Sequence, residues 1–315
     1  MTPRLTRLAA LAWLALCASG DGLAQSAAPW AIAPQWQSSN DSDGLKIDKV
    51  SAAWLPTYRS GLQWQGVEWQ TQRYVQNGTT LDGHTLSYVG QNLDALTGLG
   101  HSYRIGWNQG LNTTLVTGDF NWNQALNDRL HWGVFASRDW VESLPALQNS
   151  IHYDLIGGNV DYRVHPRLTA VASLAQTRFS DQQERQQQRV RLIWDAWPDQ
   201  GVTLQWAYKH QIGEKEVSPR RYFNPERLDE SIAFVGVRRR FEGWQLYARA
   251  GWGQQKIIDQ DATPARVVEL NLNSPVQGAQ FFKLRVGRSE TYGLNGSGTP
   301  GYAYRYADVQ WIWRL

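Results

Sequence analysis

The chain ends in the stretch ADVQWIWRL, residues 307–315, in which apolar and mostly polar side chains alternate. Successive side chains of an extended backbone point to opposite sides. One face therefore carries Val309, Trp311, Trp313 and Leu315. The other face carries Asp308, Gln310, Ile312 and Arg314. This period of two residues predicts a β-strand with one apolar, aromatic face and one mostly polar face.

The same alternation recurs along the chain, for example at 188–197, 201–211 and 243–257. Many of these segments are as long as the tilted strands that cross a bilayer, and tryptophans stand near their ends, where an interfacial aromatic belt would place them. The pattern predicts an all-β fold, a transmembrane antiparallel up-and-down β-barrel of about 16 strands. A soluble periplasmic all-β protein, whose apolar strand faces would meet in a core, is the alternative.

The lengths of the connections give a separate argument. Single-chain bacterial barrels have short turns on the periplasmic side and longer loops outside. If the last strand ends in the periplasm, the predicted external loops include 179–188, 211–228 and 289–301, which are longer than most predicted turns at the other end. Two connections deviate, since 93–100 is long for a turn and 108–113 is short for a loop. The other connections alternate between short turns and longer loops along the chain, and this alternation favours the barrel.

Residues 1–24 have the pattern of a secretory signal peptide. Arg4 and Arg7 precede the apolar run 8–18, and small residues occupy positions 22 and 24. The run is shorter than the roughly 20 residues that a membrane helix needs. Cleavage is predicted after Ala24, which leaves residues 25–315 as the outer-membrane barrel.

Composition argues against several kinds of function. Cys17 and Met1 are the single Cys and the single Met, and both precede the predicted cleavage site. A mature chain without them has no thiol for a disulfide or a metal. A lipoprotein anchored at Cys17 is an alternative, although Leu16 before it is bulkier than the usual small residue. The net charge is +3 with no dense Lys/Arg run, which argues against nucleic acid as a partner.

The polar faces of the predicted strands form a candidate lumen. Its predicted pore-lining residues are Arg163, Arg189, Arg191, Lys209, Arg249, Lys283, Arg285, Asp308, Gln310 and Arg314. A barrel of about sixteen strands leaves room for an aqueous channel. Many weak hydrogen-bonding groups let a hydrated polymer slide, because passage requires binding that is favourable but shallow. The alternative is that these groups only satisfy one another across neighbouring strands.

The alternating C-terminal residues have a second predicted role. Val309, Trp311, Trp313 and Leu315 are interpreted as the signal that the barrel-assembly machinery reads.

Catalysis has little support in the sequence. The six histidines lie in neither a Gly-x-Ser-x-Gly elbow nor a His-Glu-x-x-His motif. We therefore expect no catalytic residue, no metal site and no cofactor, and interpret the chain as a non-enzyme. A membrane hydrolase that assembles His, Ser and Asp from separate strands remains an alternative.

The stretch 218–228 contains a Tyr-Phe-x-Pro element, Tyr222-Phe223-Asn224-Pro225, followed by a predicted strand at 231–240 and a hairpin into 243–247. This part of the chain resembles the C-terminal barrels of bacterial exopolysaccharide export proteins, namely the poly-N-acetylglucosamine and cellulose export porins and the YaiO-like barrels. The resemblance implies a barrel through which a nascent polysaccharide leaves the cell. It places the element on an extracellular loop near the pore mouth. The alternative is that Pro225 stiffens the loop while its aromatic neighbours pack against the barrel wall.

This chain departs from the large exporters in one respect. Those proteins carry a long N-terminal helical repeat region, whereas here few residues separate the predicted leader from the first predicted strand. If the resemblance holds, a separate periplasmic scaffold protein would supply that region.

Together these features predict a porin of the bacterial outer membrane that exports a polysaccharide, such as an exopolysaccharide of the biofilm matrix. The arginine-rich lumen suits an anionic or neutral glycan. The expected partners are the polysaccharide chain, outer-membrane lipid, the barrel-assembly machinery, an inner-membrane glycan synthase and the separate scaffold. One alternative is a non-transporting surface barrel that serves as adhesin, phage receptor or assembly scaffold. The other is the outer-membrane lipid or glycan hydrolase.

Overall fold

The computed structural model describes residues 30–111, 113–214, 221–291 and 302–315, and the predicted signal peptide lies outside these residues. The strands are β1 (Ala31–Asp41), β2 (Lys46–Ser60), β3 (Gln63–Gln76), β4 (Thr79–Leu93), β5 (Gly100–Gly110), β6 (Thr113–Ala125), β7 (Leu130–Trp140), β8 (His152–His165), β9 (Leu168–Phe179), β10 (Glu184–Trp197), β11 (Val202–Gly213), β12 (Arg227–Phe241), β13 (Trp244–Ile257), β14 (Thr263–Asn273), β15 (Gln280–Ser289) and β16 (Tyr304–Arg314). A short helix, α1 (Leu144–Gln148), lies between β7 and β8.

The strands form one closed antiparallel barrel. Each strand pairs with the next along the chain, and β1 closes the circle by pairing with β16. Closure gives every strand a neighbouring strand on both sides, so the sheet has no edge strand. The predicted up-and-down barrel of about 16 strands is confirmed.

Strand alternation separates an outer face from an inner face. On β10 the outward side chains of Val190, Leu192 and Trp194 are exposed, and Arg189 and Arg191 stand between them on the inner face. The same apolar exposure is found on the outward positions of the other strands, for example at Trp107. So much exposed apolar surface is unfavourable in water and suits contact with lipid.

The two ends of the barrel differ in their connections. The end that holds Trp30 and Leu315, here called the terminal end, has tight turns at 61–62, 166–167 and 242–243. The opposite end, here called the loop end, has the long connections 141–151 and 290–303, besides 214–226. The two deviations expected from the sequence are also present, since 94–99 is long and 111–112 is short.

One predicted loop is shorter than expected. The sequence predicts a loop over 179–188, but β10 begins at Glu184 and pairs with β9 from there onward. The glutamines at 186–188 therefore lie in the strand. The prediction is wrong here because the outward side chains of the first residues of β10, at 184, 186 and 188, are polar. No alternation of apolar and polar residues therefore marks this part of the strand.

The helix α1 is a single short turn capped by Ser143, whose side chain accepts a hydrogen bond from the backbone nitrogen of Ala146. No helix in the described part of the chain is long and apolar enough to cross a membrane.

Candidate transport lumen

The ten residues predicted to line a pore occupy inward positions on β8, β10, β11, β13, β15 and β16. Their neighbours along each strand point outward. On β11, for example, Lys209 points inward and Trp206 is exposed on the outer face. Arg163 and Arg314 lie near the strand ends at the terminal end of the barrel, and both are exposed there. The other eight are brought together on the half of the wall that β10–β16 form, and their role in conduction stays a prediction.

The centre of this half is basic. Arg189 lies opposite Lys209 on the neighbouring strand, and Lys209 lies opposite Glu230, whose Oε2 is 3.5 Å from the lysine Nζ. Arg249 Nε lies 2.5 Å from Glu269 Oε2. Among the described residues, Arg189 and Arg191 form no ion pair. Neither guanidinium group therefore has a carboxylate in direct contact, and Glu230 near Arg189 and Asp161 near Arg191 act on them only at longer range.

A second group of predicted residues lies on β15 and β16. Lys283 is paired in register with Gln310, and Arg285 with Asp308. Asp308 accepts a hydrogen bond of 2.8 Å from the side-chain amide of Gln35 on β1. The pairing of β1 with β16 thus carries the polar lining across the seam where the barrel closes.

The opposite half of the wall, on β3–β8, has more inward carboxylates than inward cations, which are Arg104 and Arg163. Its inward carboxylates are Glu68, Asp119, Asp139 and Asp161. Glu68 makes a two-pronged ion pair with Arg104, while Asp119 accepts a hydrogen bond from Ser137 instead of from a cation. A basic half that faces an acidic half sets up an electric field across the lumen, which is weakly screened where few waters fit.

Two parts of the chain fold into the lumen at the loop end, namely residues 141–151 and residues 221–226. In the connection 141–151, Val141, Ala146 and Leu147 are fully buried. Leu147 packs with the inward side chains of Ile47 and Tyr74. This connection therefore covers part of the mouth.

The element that carries the family resemblance lies in the second of these parts, within the connection 214–226. All four residues, Tyr222, Phe223, Asn224 and Pro225, are buried. Tyr222 packs against Phe179, with ring centroids 4.5 Å apart, and Phe223 packs with Leu228 and Ile257. The aromatic side chains thus contact the wall and neighbouring loops.

Polar contacts hold this second loop in place. Arg185 donates a hydrogen bond of 3.0 Å to Asn224 Oδ1 and another to the carbonyl oxygen of Phe223. The Tyr222 hydroxyl donates to Asp181 Oδ1 at 2.7 Å. Burial, together with that carboxylate, raises the pKa of the Tyr222 hydroxyl above its usual range. The loop is therefore fixed by buried hydrogen bonds as well as by packing.

The terminal end is narrowed by an apolar cluster. Inward side chains of Leu55, Tyr58, Phe281 and Ile312 pack together there, with Val276 from the turn between β14 and β15 against them. The backbone nitrogen of Gly61 donates a hydrogen bond of 3.0 Å to the carbonyl oxygen of Val276. This contact joins two turns whose strands are not neighbours in the barrel. The sequence pattern puts Ile312 on the inner face, but the predicted polar lumen did not include Leu55, Tyr58 or Phe281.

Between the two narrowed ends lies a cavity of about 420 Å³. Its wall includes Lys49, Glu142, Glu269, Arg285, Tyr304 and Tyr306. The rings of Tyr304 and Tyr306 have centroids 6.0 Å apart and are tilted by 31°. The cavity therefore offers aromatic faces beside charged groups of both signs.

Several of these groups were not identified from the sequence. Lys49 and Glu142 pair at 2.5 Å although 93 residues separate them. Tyr304 and Tyr306 occupy inward positions of β16, in series with Asp308 and Gln310. Extending the C-terminal alternation four residues towards the N-terminus would have identified them as lumen residues. The Lys49–Glu142 pair has no such signal because it depends on a loop that folds inward.

The C-terminal residues interpreted as an assembly signal lie at the terminal end. Val309, Trp311 and Trp313 occupy outward positions of β16, and the indole rings of the two tryptophans stack with centroids 6.4 Å apart. The backbone nitrogen of Leu315 donates to the carbonyl oxygen of Trp30. Recognition of these residues by the assembly machinery stays a prediction.

Comparison with known proteins gives a likeness of fold. A solved structure titled "Bacterial polysaccharide outer membrane secretin" superposes with a TM-score of 0.64, at 10% identity, over 92% of this chain and 100% of that one. Salmonella typhi OmpF in complex with daunomycin has a TM-score of 0.41 at 9% identity, over 90% and 97% of the two chains. Pseudomonas aeruginosa OccK5 (OpdH) has a TM-score of 0.43 at 10% identity, over 91% and 98%.

No family model and no curated protein sequence matches the chain. The closed barrel, its outward apolar band and the likeness in fold are nevertheless all typical of outer-membrane β-barrels. The chain has a porin-like barrel fold, and its location is the bacterial outer membrane.

Proposed function

We propose that this barrel exports a polysaccharide across the outer membrane and is not an enzyme. The observation that carries the proposal is the cavity between the narrowed ends, where Tyr304 and Tyr306 stand beside Lys49, Glu142 and Arg285. Aromatic faces and forked hydrogen-bonding groups bind sugar rings and hydroxyls weakly, as passage of a polymer requires. The fold shared with a bacterial polysaccharide outer membrane secretin supports the same proposal.

The charge of the lumen supports a choice of substrate. The unpaired guanidinium groups of Arg189 and Arg191 favour glycans with carboxylate or other anionic groups, or neutral glycans, over cationic ones. No cofactor enters this proposal. Movement would be driven by an inner-membrane synthase that extends the chain, with a separate periplasmic scaffold delivering it.

The test is a single-channel recording with the mature chain in a planar bilayer. We expect a low resting conductance, because both ends are narrowed, and brief current blocks when an anionic oligosaccharide is added. Tyr304→Ala with Tyr306→Ala should shorten these blocks, since the apolar ring faces that a sugar would contact are removed. Tyr88→Ala with Tyr162→Ala, on the exposed outer face, is the matched control. Blocks of equal length in both variants would remove the cavity from the proposed path.

One observation favours the non-transporting surface barrel as second candidate. Both ends of the lumen are narrowed by packed side chains. A barrel that stays non-conducting after the loop contacts at the mouth are removed would support that candidate over export.

The hydrolase has less support. His210 Nδ1 lies 2.7 Å from Asp229 Oδ1 on the outer face, a pairing that a catalytic dyad would use. The nearby Ser231 hydroxyl instead accepts a hydrogen bond from the indole nitrogen of Trp206. Within the described residues no Ser or Thr hydroxyl hydrogen-bonds to a histidine ring. Loss of lipase or glycanase activity on His210→Ala, with purified protein, would overturn the non-enzymatic assignment.

A further inference from the structure

The outer face of β14–β16 carries three arginines where the apolar band ends towards the loop end. Arg266, Arg288 and Arg305 each stand two residues beyond an apolar outward residue, which is Val268, Val286 or Ala307 respectively. All three arginines are exposed. They form a cluster, here called the outer arginine cluster, in which Arg288 and Arg305 are paired in register and Arg266 lies two residues beyond the partner of Arg288.

The charges in this cluster are not balanced. Arg288 and Arg305 lie directly opposite each other on paired strands, an arrangement that destabilises a sheet unless an anion lies between the charges. Glu290 is the one carboxylate in contact among the described residues, 3.1 Å from Arg288 and 3.8 Å from Arg266. Within the same residues Arg305 forms no ion pair.

The surroundings supply little further negative charge. The neighbours in register are Asn40 beside Arg305 and Trp252 beside Arg266. The stretch 292–301 contains no acidic residue. Asp259 and Asp261 in the adjacent connection form no ion pair with the cluster in the described structure.

The far side of the barrel shows what a balanced wall looks like. There Arg138, Asp154, Arg178 and Glu184 follow one another in register across four strands. Arg138 lies 3.1 Å from Asp154, and Arg178 lies 3.1 Å from Glu184. The excess positive charge at β14–β16 is therefore a local feature and not a property of the whole rim.

We propose that the outer arginine cluster binds the phosphate groups of a glycolipid in the outer leaflet of the membrane. Guanidinium groups bind phosphate through two parallel hydrogen bonds. The cluster stands at the boundary of the apolar band, on the side of the long loops, which in bacterial barrels is the external side. Headgroup phosphates lie at that height while the acyl chains contact Val268 and its apolar neighbours. The proposal is independent of what passes through the lumen.

The test uses the mature chain in detergent and measures binding by native mass spectrometry. The probes are doubly phosphorylated lipid A, lipid A without its phosphates, phosphatidylglycerol and inorganic phosphate. The variant R288Q/R305Q should bind phosphorylated lipid A at least tenfold more weakly than the wild type, because two charge-assisted contacts are lost. The control R138Q/R178Q should bind it as the wild type does.

Three outcomes would overturn the proposal. The first is equal binding of phosphorylated and dephosphorylated lipid A by the wild type, which needs no variant. The second is equal loss of binding in both double variants, which would indicate a general effect of rim charge. The third is displacement of the lipid by an equal concentration of inorganic phosphate, which would indicate a site for free anions.

Discussion

The hydroxyl of Ser143 donates a hydrogen bond of 2.6 Å to the backbone carbonyl oxygen of Arg221, 78 residues further along the chain. This bond joins the two connections that fold into the loop end of the barrel, because Ser143 caps the helix of one and Arg221 precedes the buried aromatic residues of the other. The mouth is thus narrowed by a pair of loops that support each other.

Replacing Ser143 by alanine should loosen this pair. The change removes the bond to Arg221 and the cap of α1, and we expect the stability of the loops to fall by about 1–2 kcal/mol. In planar bilayers the variant should open more often or conduct more than the wild type. Thr80→Ala, at an exposed outward position, is the control, and identical recordings for the two variants would show that the bond does not hold the mouth narrow.

The ion pair between Lys49 and Glu142 should be needed for the inward position of the first loop. Both side chains are largely buried, so Lys49→Met removes the ammonium group from beside the Glu142 carboxylate, at a cost of about 1–3 kcal/mol. Urea unfolding in detergent measures the change. The double variant K49M/E142Q should recover part of the loss, and a double-mutant cycle without coupling energy would contradict a direct interaction.

Reversing the charges of the two unpaired lumen arginines should change ion selectivity. Arg189→Glu with Arg191→Glu converts the centre of the basic half to an acidic one, and we expect the reversal potential in a salt gradient to shift towards cation preference. Arg73→Glu with Arg227→Glu, both at exposed positions, gives the matched charge change elsewhere. An unchanged potential in the lumen variant would mean that ions do not pass these residues.

Gly61→Ala should destabilise the terminal end. A Cβ atom at this position would lie 2.3 Å from the ring of Phe281, and overpacking of this kind costs about 1–3 kcal/mol. Gly118→Ala, whose Cβ would meet its nearest atom at 3.5 Å, should unfold at nearly the wild-type temperature. The loss of stability caused by G61A should be smaller in an F281A background than in the wild type, and an equal loss in both backgrounds would contradict the predicted clash.

The strand order and the inner and outer faces could be predicted from the sequence because both follow from local alternation. Lipid requires apolar outward side chains, and water in the lumen tolerates polar inward ones, so the parity of Arg189 and Arg249 follows from Val190 and Ala250 beside them. Tight turns between paired strands then determine which strands are neighbours.

The filling of the lumen could not be predicted in the same way. Phe281 and Ile312 sit at inward positions that the pattern assigns to polar residues, and they pack on a turn that belongs to non-neighbouring strands. The connection 141–151 mixes polar and aliphatic residues, and 214–226 is mostly polar with two aromatic residues. Nothing local distinguishes a connection that folds inward from one that points outward. Their positions depend on contacts such as Tyr222 with Phe179.

By itself, then, the sequence determined the barrel, its strand number and the side of the wall on which each charge lies. These depend on neighbours one or two residues away and on the surrounding solvent. Only the tertiary structure decided how wide the lumen is at each end, that Lys49 meets Glu142, and that Arg288 faces Arg305 across a strand pair. Those relationships join residues distant in sequence, and they exist only once the strands have closed into a ring.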